Sequence, residues 1–390
     1  MASIPPLLDP LSISQFRSIS VFHRQLPRLI SPSLTLTSSS LSHKPTLIVA
    51  RAASPTLNGN SVPIVLCIIT AFTITFTENV KASNKSVEIT KGINDLDKVI
   101  LHGYKGTSVE VYLYGAQVTS WKNEHNEEML FVSSKAIFNP PKAIRGGIPI
   151  IFPQFSNLGP LQSHGFARNR FWTIEIDPTP FTPNVSNSIF VDLILKSTEE
   201  DLKIWPHRFE YRLRIKLGPK GELMLTSRIR NTDTDGKPFT FTFAHHTYFS
   251  VSNISEVRVE GLEKLDYLDN LKNRTRFTEQ ADAITFNSET DKIYLSTPSK
   301  ILVLDNEKNR TFVIRKDGLP DAVVWNPWAK TIVDLGENDY KQMLCVEAAA
   351  IEKPVTLMPG EEWKARLELS AVPSCYFSGK SDSSKVLEGT

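Results

Sequence analysis

The chain has 390 residues, 41% of them hydrophobic and 22% charged, with 44 Lys and Arg against 42 Asp and Glu for a net charge of +2. That is enough apolar material for a sizeable core, and the near-balanced charge, with no concentrated basic patch beyond the N-terminus, excludes a nucleic-acid partner. The three cysteines, Cys67, Cys345 and Cys375, form neither a CxxC pair nor a cluster, which argues against a zinc site or a disulfide framework.

Residues 1–60 are rich in Ser, Pro and Leu and carry Arg17, Arg24, Arg28 and Arg51, with Asp9 as their only acidic residue. Such a Ser-rich, acid-poor composition is that of an organellar transit peptide; an ordinary disordered tail is the plain alternative. Either way the segment cannot bury enough apolar surface to offset its chain entropy, and it is expected to be disordered. Residues 61–85 follow as an apolar segment and linker. Its apolar run, 62–76, has Pro63 near its start and is shorter than the ~20 residues a spanning helix needs. Three readings stay open: a weak membrane anchor, the apolar region of a second signal with Val80-Lys81-Ala82 as its cleavage site, or a pro-segment.

From 86 to 375 a period of two dominates, and 376–390 reads as a flexible tail. Phe209 to Leu217 alternates apolar and charged residues without a break, as a strand with one buried and one wet face does. Gly218-Pro219-Lys220-Gly221 then turns the chain into a second strand, Glu222 to Arg230, making a hairpin. Ser108 to Tyr114, Ile189 to Leu195 and Trp363 to Leu369 alternate in the same way. Helix signals are few. Ser197-Thr198-Glu199-Glu200 reads as a capping box, and Pro206 stops the short helix it opens. Many short strands without a second composition shift imply an all-β fold, one large antiparallel sandwich with very few short helices.

Four stretches carry residues fit for chemistry. In Arg145-Gly146-Gly147, before the apolar run Ile148 to Phe152, two glycines let the backbone bend sharply beside an arginine whose planar fork suits a phosphate; a surface Arg at a tight turn reads equally simply. Leu161 to Trp172 gathers His164, Arg168 and Arg170 around Gly165, as an anion site or as a solvated charged loop. In Phe239-Thr240-Phe241-Thr242-Phe243-Ala244-His245-His246, alternation puts His245 on the aromatic, core-like face and His246 on the threonine-lined face, provided no bulge intervenes. An imidazole can give and recover a proton near neutral pH. Glu347 interrupts the apolar run Met343 to Ile351, where a carboxylate is costly unless it is paired or used as a base. Trp325 and Trp328 flank a turn, as sugar-stacking rings or as core, and Asp291 begins a strand where it could accept from sugar hydroxyls or close a turn.

Taken in order, RGGIPIIFPQF, HGFAR, HTYF, VVWNPW and CVE followed by LMPGEEW resemble the glucose-6-phosphate 1-epimerase branch of the aldose 1-epimerase family, in its plant plastid form. The resemblance runs from about Gly103 to Leu369. It implies a β-supersandwich of the galactose mutarotase kind and an isomerase that interconverts the α and β anomers of a hexose 6-phosphate, without metal, nucleotide or redox cofactor. By similarity, His246 is the general acid and Glu347 the general base, and the two are expected to face each other across a cleft with room for the sugar ring. Arg145 and Arg168 match phosphate-binding positions, Asp291 a sugar contact, and His164 a second cleft histidine. Relatives often carry Gln before the His-Gly pair; here Ser163 stands there and Gln162 one place earlier, and the stretch Ala329 to Tyr340 is shorter. A monomer in the chloroplast is expected, in the stroma first, with the lumen or a membrane following from the other readings of 62–76. Two rival functions remain: an epimerase of free aldoses, and a non-catalytic sugar-binding or regulatory module on the same scaffold.

Overall fold

The computed structural model describes residues 86–175 and 189–374; the segments read above as transit peptide, apolar run and tail lie outside the described residues, as do Cys67 and Cys375. No described helix is long and apolar enough to cross a membrane. The fold is all-β, and every pairing between its strands is antiparallel. Four N-terminal strands, Val87–Lys91 through Gln117–Lys122, form a meander.

The larger sheets have eight and nine strands. The nine-stranded sheet holds the predicted hairpin: Phe209–Leu217 pairs with Leu223–Asn231, Leu217 opposite Leu223, and alternate residues are buried throughout. The eight-stranded sheet runs Thr275–Thr278, Asp266–Asp269, Thr290–Tyr294, Asp321–Asn326, Met343–Leu357, Phe239–His245 and Ile150–Ile151, with Tyr248–Ser250 also paired to Met343–Leu357. One hydrophobic core draws residues from all three sheets. At its centre Phe152 meets Trp205, Phe209, Tyr211 and Phe241 edge to face, with ring centroids 5.2–5.7 Å apart. Full burial of one such ring contributes about 1.5–3 kcal/mol.

The single described α-helix, Glu199–Ile204, is as short as expected, but its capping box sits one residue later than the sequence reading placed it. Thr198 is the N-cap, and its hydroxyl accepts from the Asp201 amide while the Asp201 carboxylate accepts from the Thr198 amide. A tertiary contact decides the frame: Asp201 is fully buried and also accepts from Arg170 Nε at 2.7 Å, whereas Glu200 points to solvent.

The face assignment in Phe239–His245 holds, although the ladder with Met343–Leu357 is irregular. Phe241 faces Val355 and Phe243 faces Ala350, so the extra residues lie on the partner strand, where Pro354 cannot donate to the ladder. Asp321 closes the irregularity by accepting from the Ile351 and Glu352 amides at 2.8 and 2.9 Å. Phe239, Phe241, Phe243 and His245 therefore all point into the core. His245 Nε2 lies 3.3 Å from Ser227 Oγ, which bonds Tyr211 at 2.8 Å, and burial pushes its pKa down to about 3.

A histidine held neutral in the fold stabilises it fully above its unfolded pKa of about 6.5, and the contribution is lost as pH falls from there toward 3, at about 1.4 kcal/mol per pH unit. Thermal or urea unfolding of the parent and of His245→Gln should show the variant less stable at pH 7.5. The gap should narrow by about 2 kcal/mol by pH 5, because the glutamine has no proton to take up on unfolding. A gap that stays constant would mean that His245 is not held neutral.

Candidate active site

Register brings the polar residues of the eight-stranded sheet onto one face. His245 stands opposite Ala348, and both belong to the core side. The next residues on the two strands, His246 and Glu347, therefore point the other way. Glu347 is opposite Val323, Trp325 opposite Cys345, Asp291 opposite Trp325, and Tyr248 opposite Cys345. Since opposed residues share a face, Asp291, Trp325, Glu347, Tyr248 and His246 line one surface drawn from four separate stretches of chain.

The centre is a nearly sealed pair. His246 is 6% exposed and Glu347 2%. His246 Nδ1 lies 3.3 Å from Glu347 Oε1, but the geometry falls short of a hydrogen bond, and His246 Nδ1 and Glu347 Oε2 are left without partners. Buried polar atoms are nearly always satisfied, so two orphans side by side leave bonding capacity open at this spot. The imidazole stacks on the Tyr248 ring at 4.6 Å and 11° and meets Trp325 and His164 edge to face. The expectation of an acid and a base separated by the width of a sugar ring is not met. The two stand side by side, because neighbouring strands put opposed residues only about 5 Å apart.

Burial pushes the Glu347 carboxyl well above the usual carboxylate range, and the Asp291 charge adds to this while Arg168 opposes it. The same burial, with repulsion from His164, Arg145 and Arg168, holds His246 well below the ordinary imidazole range. Asp291, half-buried and also raised chiefly by burial, accepts from Asn270 Nδ2 at 2.7 Å.

Beside the pair a cleft of about 340 Å³ opens, lined among others by Arg145, Gln162, Arg168, Tyr248 and Asp334. Arg145 donates to Asp334 from Nε at 3.0 Å and to the Tyr248 hydroxyl at 3.1 Å. Burial works against its charge, but Tyr248 and Asp334 outweigh that and hold the guanidinium charged. Arg168 donates to the Ser163 carbonyl at 2.9 Å, and its Nε has no partner. Gln162 is thus the side chain on the cleft, while Ser163 serves through its backbone. His164, at φ +68°, accepts from the Ser156 amide at its Nδ1, and burial together with Arg168 and Arg145 pushes its pKa down to about 3. A larger hollow of about 800 Å³, near Tyr104 and Lys220, offers weaker chemistry: its Lys105 and Arg310 are already paired with Glu124 and Asp305. Among the described residues no group of three or more His, Cys, Asp or Glu is placed to hold a metal ion.

The structure brings together Arg145, His164, Arg168, His246, Asp291 and Glu347. Sequence reading missed Asp334, in a loop without regular structure, and Asn270. It contained Tyr248 within a motif but gave no hint that its ring would back the imidazole.

Residues 97–370 match the family model described as aldose 1-epimerase. A Cenchrus ciliaris protein provisionally named glucose-6-phosphate 1-epimerase is 65% identical over 305 residues, 77% of this chain and 93% of the relative. An Escherichia coli K12 protein with the same provisional name is 30% identical over 263 residues, 66% of this chain and 84% of its own length. Among solved structures, a provisionally named mutarotase from Salmonella typhimurium superposes with a TM-score of 0.64 at 25% identity, covering 76% of this chain and 99% of that one.

The Arg145 turn depends on Gly147, whose φ of +64° suits glycine and whose missing Cβ would strike the Val118 carbonyl. Gly106, at φ +84°, has open space around it. Denaturant titration should find Gly147→Ala destabilised by well over the roughly 1 kcal/mol expected of Gly106→Ala. Equal losses would remove the packing argument.

Proposed function

The chain belongs to the aldose 1-epimerase family, and from that premise we propose that it interconverts the α and β anomers of a hexose 6-phosphate, glucose 6-phosphate foremost. The observation that carries this reading is a sealed His246–Glu347 pair next to a cleft lined by two arginines. Anomer exchange needs one group to take the proton of the anomeric hydroxyl and another to protonate the ring oxygen. Those two oxygens are bonded to the same carbon, so an acid and a base standing side by side suit the reaction better than a pair straddling the ring.

In this mechanism Glu347 takes the hydroxyl proton while imidazolium His246 donates to the ring oxygen, and the ring carbon–oxygen bond breaks to give the aldehyde. Rotation about the bond to the anomeric carbon exposes its other face. His246 then takes the proton back from the former ring oxygen as it attacks, and Glu347 returns its proton to the carbonyl oxygen. Both pKa directions help: burial makes Glu347 a stronger base and the His246 imidazolium a stronger acid. The open-chain stage, with neutral imidazole and protonated carboxyl, is the protonation state that burial favours. Arg145 and Arg168 would hold the phosphate, and Asp291, Gln162 and His164 the sugar.

Anomer exchange followed by NMR on glucose 6-phosphate and on glucose tests this. His246→Ala or Glu347→Gln should lower kcat by about 10²-fold or more in a folded protein, and His245→Ala should act on stability instead. Arg145→Ala or Arg168→Ala should raise KM for glucose 6-phosphate about ten- to a hundredfold and that for glucose far less, because a charge-assisted bond contributes about 1.5–3 kcal/mol. Equal losses on both sugars would favour the free-aldose reading.

We also propose a plastid location, supported by the Ser-rich, acid-poor composition of residues 1–60. A fluorescent fusion of those residues in leaf cells should enter chloroplasts; a cytosolic signal would overturn the proposal.

A further inference from the structure

We propose that Lys142 is a third cation of the phosphate end, meeting the phosphate at the mouth of the cleft and completing its charge. The inference rests on the hexose-phosphate reading above and names a residue that the sequence motifs did not pick out. Lys142 lines the same 340 Å³ cleft as Arg145 and Arg168. It is exposed, and among the described residues its ammonium has no hydrogen-bond or ion-pair partner.

The position of Lys142 is fixed from both sides. Its amide closes a turn on the Asn139 carbonyl at 3.1 Å, and the neighbouring Pro141 carbonyl accepts from Asn169 Nδ2 at 2.5 Å. Asn169 directly follows Arg168, so the lysine turn and the Arg168 turn are tied together. Three residues further along the chain stands Arg145.

Charge then says what the three cations suit. Lys142, Arg145 and Arg168 face a single carboxylate on the lining, Asp334, which Arg145 already engages. Three cations against one anion leave two positive charges, and a phosphate monoester carries about two negative charges at neutral pH. Without Lys142 the cleft would hold one positive charge and leave half of the phosphate unmatched. The two arginines are half-buried and held in place by Tyr248, Asp334 and Ser163, whereas the lysine is a mobile point charge on a long stem at the rim. That suits it to capture an incoming anion from solvent and leave orientation to the arginines.

The test uses the purified chain and two probes, inorganic phosphate for binding and glucose 6-phosphate for exchange. In Lys142→Gln the Kd for phosphate should rise about fivefold, the scale of an ion pair at an accessible site, and its dependence on ionic strength should become shallower. Lys142→Arg should restore most of both. KM for glucose 6-phosphate should rise in step with Kd, and kcat should change little. An unaltered melting curve checks that the exposed substitution leaves the fold intact. If Lys142→Gln binds phosphate as the parent does, with the same salt dependence, the proposal is overturned. If the parent binds phosphate through Lys142 yet exchanges no anomers, the cation stands and the epimerase reading falls. A parent that binds neither probe overturns both.

Discussion

Strand register between Phe239–His245 and Met343–Leu357 is the constraint on which the site depends. Opposed residues point to the same side of a sheet, so the pairing of His245 with Ala348 sends both into the core and their successors, His246 and Glu347, out of it together. A slip of one residue on the longer strand would turn the Glu347 carboxylate into the core opposite His245 and beside Phe243, where an unpaired charge costs several kcal/mol. The ladder is irregular a few residues away, and Asp321 holds that irregularity by capping the amides of Ile351 and Glu352. A buried aspartate thus fixes the backbone a few residues from Glu347.

Burial then does to the pair what water would not allow. Two groups that would exchange protons freely in solvent are held where the charged form of each is disfavoured. One proton shared between them is best placed on Glu347, with His246 neutral. On the proposed mechanism, the form with the proton on His246 is the one that acts on a hydroxyl and an ether oxygen at once, from side chains 3.3 Å apart. Tyr248 ties this centre to the arginine cleft: its ring backs the imidazole while its hydroxyl accepts from Arg145.

Much of this was legible in the chain itself. Alternation along Phe209–Leu217 gave the hairpin its correct partner, and alternation through Phe239–His245 separated two adjacent histidines into a core residue and a site residue. Both depend only on local period, which a strand expresses residue by residue. The capping frame at Thr198 did not follow from spacing, because the deciding bond comes from Arg170, thirty-one residues from Asp201. Asp334 was invisible for a related reason: it lies in a loop without period, 189 residues from Arg145, and its meaning is set by that arginine alone. The spacing of the acid and the base was also out of reach. Alternation put His246 on the polar face, but only the pairing of its strand with Met343–Leu357 says that Glu347 shares that face and how near it stands.

The arginine cleft and the His246–Glu347 pair influence each other through charge as well as contact. Arg145 and Arg168 both push the His246 imidazolium toward losing its proton. A bound phosphate dianion, on the hexose-phosphate reading, would cancel much of that repulsion and let the imidazole carry the proton it must donate. Arg168 also favours the ionised form of Glu347, so the same cancellation takes some help away from the base. The two effects oppose each other, one on the histidine and one on the glutamate. A neutral sugar in the same site would bring no such charge, leaving Asp334 as the only anion beside Arg145 among the described residues. On the proposed roles, discrimination between phosphorylated and free sugar arises in binding at the arginines, and the phosphate charge also reaches the pair through Arg168, which acts on both His246 and Glu347.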